Sequence, residues 1–168
     1  MPAPNLVKEV AHENAESHPV VQHLQREVAN AFVLYANYKH YHWHTYGPLF
    51  RDLHLLLDDC AKHALDSIDE MAERIRMIGP DVQSVQLKDY QHNAGIESAR
   101  PGQSMREMIE QADANLLVVI KGMREAAKVA DDSGDPGTVD MFSKIVRDHE
   151  HDEWFLREVL KKKDALVV

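Results

Sequence analysis

The sequence predicts an all-α four-helix bundle with a short extra helix in the crossover between its second and third long helices. Three observations carry this. Glycine and proline number only seven each and fall in clusters, at Gly47-Pro48, Gly79-Pro80, Pro101-Gly102 and Gly134 to Gly137, which cut the chain into four long blocks. Within the blocks apolar residues recur at steps of three and four, the spacing that turns one helical face toward a core. No strand-like alternation competes with that period.

In the first block Leu24, Val28, Ala31, Tyr35, Tyr38 and His42 form the inward stripe, and Gly47 ends it. The second runs from about Pro48, acceptable in a first helical turn. It places Leu53, Leu57, Cys60, Ala64, Met71, Ile75 and Ile78 on one buried face before Gly79-Pro80 stops it. The segment from Asp81 to Arg100 is too long for a tight turn between antiparallel neighbours, so it crosses the bundle, with a short helix near Val85 to Tyr90. The third helix opens on Ser104 followed by Glu107, a capping-box pattern that satisfies orphan backbone donors, and reaches about Ala130. The fourth spans about Thr138 to Lys162, anchored by Phe142, Ile145, Phe155, Leu156 and Val159. One domain is expected over residues 19–163, after a mobile tail at 1–18 and before a short tail at 164–168.

The net charge is −9, from 19 basic and 28 acidic residues. An acidic body argues against binding nucleic acid through phosphate neutralisation and favours cationic partners. Cys60 is the sole cysteine, so no intrachain disulfide forms and a reducing compartment is permitted. The longest aliphatic run, Leu116 to Ile120, is far too short to span a bilayer. Met1 to Val20 lacks the basic start and apolar centre of a signal peptide, so a cytosolic location is expected.

Eleven histidines are present, and the most informative group is His54, Asp58, Asp69 and Glu73 on the second helix. His54 and Asp58 are four apart, as are Asp69 and Glu73, and the eleven residues between the pairs make close to three turns, so all four share one face. The midpoints of the pairs nevertheless lie roughly 22 Å apart along the axis, so no single metal ion is held by both in one chain. Two copies of this helix packed antiparallel across a two-fold axis would bring the His54/Asp58 end of one against the Asp69/Glu73 end of the other. Mixed imidazole and carboxylate ligands suit Fe(II), Mn(II) or Zn(II). His42, at the end of the first helix, can add another imidazole.

The run Tyr38-Lys39-His40-Tyr41-His42-Trp43, then Gly47-Pro48-Leu49-Phe50, then His54 with Asp58, then Ile68-Asp69-Glu70-Met71-Ala72-Glu73-Arg74, resembles the signature of the Dps mini-ferritins. The likeness covers roughly Val20 to Leu160. It implies a ferritin-like four-helix bundle that assembles into a hollow homododecamer with an acidic interior. It also implies a ferroxidase whose ligands are His42, His54 and Asp58 of one subunit with Asp69 and Glu73 of its two-fold mate. Fe(II) would be oxidised there, preferentially by hydrogen peroxide, and stored as ferric mineral, giving protection against oxidative stress. By the same resemblance Trp43 sits beside the site to accept stray oxidising equivalents, and Asp135 and Asp140 line three-fold pores that concentrate Fe(II). Zinc, which is not oxidised, would act as a competitor.

The chain also departs from that pattern. His44 replaces a small amide, and His40 and His44, four apart, offer a separate surface pair; no ligand role is assigned to them or to His63, His149 and His151. DNA binding at physiological salt is not expected, since residues 1–18 carry Lys8 against Glu9, Glu13 and Glu16, and the basic cluster Lys161 to Lys163 suits a helix C-terminus. A di-iron site inside one bundle calls for Glu-x-x-His on two helices, and the only match, Glu9 to His12, lies in the tail. The remaining alternative is a non-enzymatic helical assembly or DNA-compacting module with incidental histidines.

Overall fold

Each helix boundary follows from a local residue choice, and the boundaries set where the site falls. The computed structural model describes residues 15–161, and every regular element in that span is helical. A 3-10 turn at Ala15–Ser17 leads into α1 (Pro19–His44), α2 (Phe50–Ile78), the short α3 (Leu87–Asn93), α4 (Met105–Asp132) and α5 (Pro136–Leu160). The tails at 1–14 and 162–168, with Lys162, Lys163, Glu9 and His12, lie outside the described residues.

Helix α1 packs along α2 and α4 along α5, and the two hairpins close into a bundle through α1 against α4 and α2 against α5. Leu24, Leu34, Tyr38, Leu57, Met71, Ile75, Leu116, Phe142 and Leu156 are fully buried between them. The stripe expected on α2 is buried throughout. Phe155, expected as an anchor of α5, is instead 41% exposed and packs on Trp154 and His151, because neighbouring Leu156 takes the inward position.

Gly79 ends α2 at φ 130°, a conformation that only glycine adopts cheaply, and its N–H returns to Ile75 O. Ser104 and Glu107 form the capping box of α4 in both directions. Two boundaries differ from the sequence expectation. Helix α2 starts at Phe50 because Gly47, at φ 85°, and Pro48 form a turn closed by Phe50 N–H to Gly47 O at 3.0 Å. Helix α5 starts at Pro136, which tolerates a first-turn position, once Asp135 caps it by accepting from Thr138 N–H.

The crossover is fastened by buried amides. Gln25 donates to Asp81 O at 2.7 Å and accepts from Gln83 N–H at 3.0 Å. Asn37 donates to Glu97 O and accepts from Ala99 N–H, while Asn115 of α4 accepts from Glu97 N–H. These amides complete backbone groups that the irregular chain leaves unpaired. No helix among the described residues is long and apolar enough to cross a membrane.

Candidate metal centre

The hairpin of α1 and α2 sets His42, in the last turn of α1, opposite His54, in the second turn of α2. The final carbonyls of a helix have no partner within it. That of His42 accepts from His54 Nδ1–H at 2.8 Å and from Thr45 Oγ1–H at 3.0 Å. In return His42 Nδ1–H donates to His54 O at 2.6 Å. A carbonyl only accepts, so the neutral rings carry their proton on Nδ1 and keep a lone pair on Nε2. The two imidazoles stack at 3.6 Å with 19° between planes, and Phe50 stacks on His54 at 5.2 Å. Backbone-held imidazoles of this kind are oriented before any cation arrives.

Asp58 is exposed one turn beyond His54. Lys39 Nζ donates to its Oδ1 at 2.6 Å. That hydrogen bond, reinforced by the charges of Lys39, His42 and His54, holds the Asp58 carboxyl below the usual carboxylate range, so it is ionised and ready to ligate. Trp43 is 67% exposed beside it, with the Lys39 ammonium 6.0 Å from its ring centroid.

Asp69 and Glu73 are also exposed on α2, but Asp69 stands about 16 Å of helical rise beyond Asp58. Among the described residues, no three His, Cys, Asp or Glu side chains of one protomer form a metal cage. The protomer thus brings His42, His54 and Asp58 together and leaves Asp69 and Glu73 apart from them.

Asp135 is buried at the start of α5, where its carboxylate accepts from Thr138 N–H and Oγ1–H and from Arg74 Nη2 at 2.5 Å. Asp140, five residues on, is exposed. His40 and His44 stack at 4.2 Å, with His44 Nδ1–H donating to His40 O at 2.8 Å. Sequence reasoning missed Lys39, which acts across a hairpin, 19 positions from Asp58, where no periodicity points. It also missed Glu27, fully buried against Gly122, whose carboxyl is pushed up by burial.

The ferritin-like domain family matches residues 21–165. Among similar proteins, a DNA protection during starvation protein of Brevibacillus brevis is 32% identical over 138 residues, covering 82% of this chain and 92% of that one. DNA protection during starvation protein 1 of Deinococcus radiodurans is 29% identical over 148 residues, covering 88% and 72%. Of solved structures, Dps from Thermosynechococcus elongatus superposes with a TM-score of 0.83 at 40% identity, covering 97% of this chain and 98% of that one. A Dps homologue from Halobacterium salinarum gives 0.84 at 30% identity, covering 89% and 82%.

Proposed function

Because the chain belongs to the Dps family of ferritin-like proteins, we propose that it is a ferroxidase that takes Fe(II) as substrate and stores the ferric product inside a hollow homododecamer. The observation that carries this reading is the reciprocal pair His42 and His54, whose Nδ1–H groups are spent on each other's carbonyls so that both Nε2 atoms are left as ligands beside ionised Asp58. That set is half a site. The other half, Asp69 and Glu73, is supplied by a second copy related by a two-fold axis, since α2 is too rigid to fold back on itself. An apolar cavity of about 480 Å³ beside α1 and α3, with exposed Leu65 and Leu87 on its rim, supports burial of this face by that copy.

Carboxylates favour Fe(III) over Fe(II), so oxidation is pulled forward, while few imidazoles keep the first affinity moderate and let product move on. With hydrogen peroxide as oxidant, two Fe(II) each give one electron. The O–O bond breaks, two protons are taken up, and two waters form with no hydroxyl radical released. Trp43 is placed to intercept a stray oxidising equivalent, and exposed Asp140 to draw cations toward a three-fold channel whose helix Asp135 holds in place. Zn(II) competes for the same ligands without turning over. We place the protein in the cytosol, where a free buried thiol such as Cys60 persists.

Fe(II) added without oxygen, followed by peroxide, is expected to produce a ferric absorbance with about two irons oxidised per peroxide. Native mass measurement is expected to give twelve chains. A protein that neither binds nor oxidises iron would refute the proposal.

A further inference from the structure

A second group of ligating side chains lies away from that centre, in the groove between α2 and α5. His149 is buried to 1% exposure, and neither ring nitrogen has a hydrogen-bond partner. Native folds seldom leave a buried polar group in that condition. Its ring borders a small cavity of about 130 Å³, lined also by His63, Asp66, Glu70, Lys144 and Asp148. Next to it stands Asp152, 2% exposed, whose two oxygens both accept from His63 Nδ1–H at 2.9 Å. His149 Nδ1 is 3.9 Å from Asp152 Oδ2, beyond hydrogen-bond reach.

The charge around the groove is strongly negative. Asp66, Glu70, Asp148 and Asp152 face one ammonium, that of Lys144, which pairs with Glu70. Glu70, Asp148 and Asp66 together hold the Lys144 ammonium above its ordinary value, direct evidence of their field. The spacing of the donors is also informative. Two tetrahedral ligands at about 2.1 Å from an ion stand ~3.4 Å apart. The Asp152 Oδ2 atom lies 2.9 Å from one imidazole nitrogen and 3.9 Å from the other, on either side of that value.

We propose that His63, His149 and Asp152 hold a divalent transition-metal ion of the zinc class between α2 and α5 within a single protomer, separate from the intersubunit centre. Two imidazoles and a carboxylate favour zinc over magnesium or calcium, which take oxygen ligands in larger numbers. The cavity supplies water for a fourth position. Binding takes the proton from His63 Nδ1, and the ring, partly exposed, keeps its remaining proton on Nε2 toward solvent. A small rotation of the His149 ring closes the gap to the ion and gives its orphaned nitrogen a partner. Cys60 is not a ligand, because burial, with the Asp152 charge adding to it, keeps its thiol protonated. The ion ties α2 to α5 where only side-chain packing and the His63–Asp152 pair otherwise join them.

The test uses the full-length protein carrying Asp69→Ala and Glu73→Ala, which disables the intersubunit site without touching this one. Zinc chloride is added, excess is removed by desalting, and zinc per protomer is measured and titrated. About one zinc per protomer is expected to remain. His149→Leu and, separately, His63→Ala are each expected to weaken it about tenfold or more. His63→Ala removes a partly exposed ring, so it keeps the test decisive if His149→Leu fails to fold, as checked by circular dichroism. In zinc-loaded crystals an anomalous peak is expected within bonding distance of His63 Nδ1 and Asp152. No zinc retained, retention that neither variant changes, zinc at His40 and His44 instead, or only water in the groove would each overturn the proposal. Because the readout is metal retention on a background lacking Asp69 and Glu73, it stands or falls independently of iron oxidation.

Discussion

If each reactive centre is built from two chains, two inactive variants should restore activity when they assemble together. One variant carries His54→Ala and Asp58→Ala, the other Asp69→Ala and Glu73→Ala. Eleven residues of α2 separate Asp58 from Asp69, which is ~16 Å of rise, against ligand bonds of about 2 Å, so neither variant retains a complete site in a pure dimer. In a mixed dimer one site loses both ligand sets, while the other receives His54 and Asp58 from one chain and Asp69 and Glu73 from its partner, all intact. Random pairing makes half the dimers mixed, each with one good site of two, so the co-expressed protein should show about 25% of the wild-type rate per protomer. The assay is the initial ferric absorbance after Fe(II) and peroxide, with each variant alone as the blank. Ligands gathered within one chain would give no recovery on mixing, and that result would refute the reasoning.

The burial of Asp135 predicts a stability effect. Asp135→Ala leaves the Arg74 guanidinium unpaired and the α5 cap unmade, and is expected to cost about 3–5 kcal/mol, read as a lower thermal midpoint. Asp135→Asn, which still caps, should lose less, and an Ala variant that melts like wild type would remove the carboxylate from any structural role. Gly122→Ala places a Cβ 2.4 Å from Glu27 Oε1, so it should destabilise by about 1–3 kcal/mol in a melt. With Glu27→Ala already present the same change should reverse sign and stabilise by up to ~1 kcal/mol, the ordinary helix preference for alanine; the same sign in both backgrounds would contradict the packing. DNA should not be retained in a gel shift at ~150 mM salt, given a net charge of −9. Retention sensitive to loss of Lys161, Lys162 and Lys163 would reverse that.

The fold was legible where a single residue type decides a boundary. Gly79 needs its positive φ, Ser104 and Glu107 cap each other, and the buried stripe of α2 falls on the spacing its apolar residues announce. It was less legible where a breaker has two uses. Pro136 and Gly137 read as a loop, yet Pro136 suits a first helical turn, and Gly137 makes room for Arg74, whose Nη2 would lie 3.2 Å from a Cβ there. The short crossover helix sits a few residues later than Val85 to Tyr90, because the Gln86 and Asp89 capping box fixes its start. Gln25, Asn37 and Asn115 read as polar interruptions of apolar faces, and only the path of the crossover shows what they bond.

The site divides the same way. Spacing on one helix placed His54 and Asp58 on a common face and set Asp69 and Glu73 too far along it, since the helical repeat is fixed by the backbone. Spacing cannot show what crosses between helices. The exchange of Nδ1–H bonds between His42 and His54, which decides the nitrogen each ring offers, depends on the α1/α2 hairpin bringing an unpaired helix-end carbonyl against a second-turn histidine. Lys39 is set by the same hairpin, and it both keeps Asp58 ionised and competes with a cation for the carboxylate. An open half-site of this kind holds a cation weakly by itself, so strong binding and oxidation are tied to the contact that brings Asp69 and Glu73 across. The assembled protein can then oxidise iron at its two-fold contacts, while a lone protomer, with its acids ~16 Å from its imidazoles, has no complete centre at which to do so.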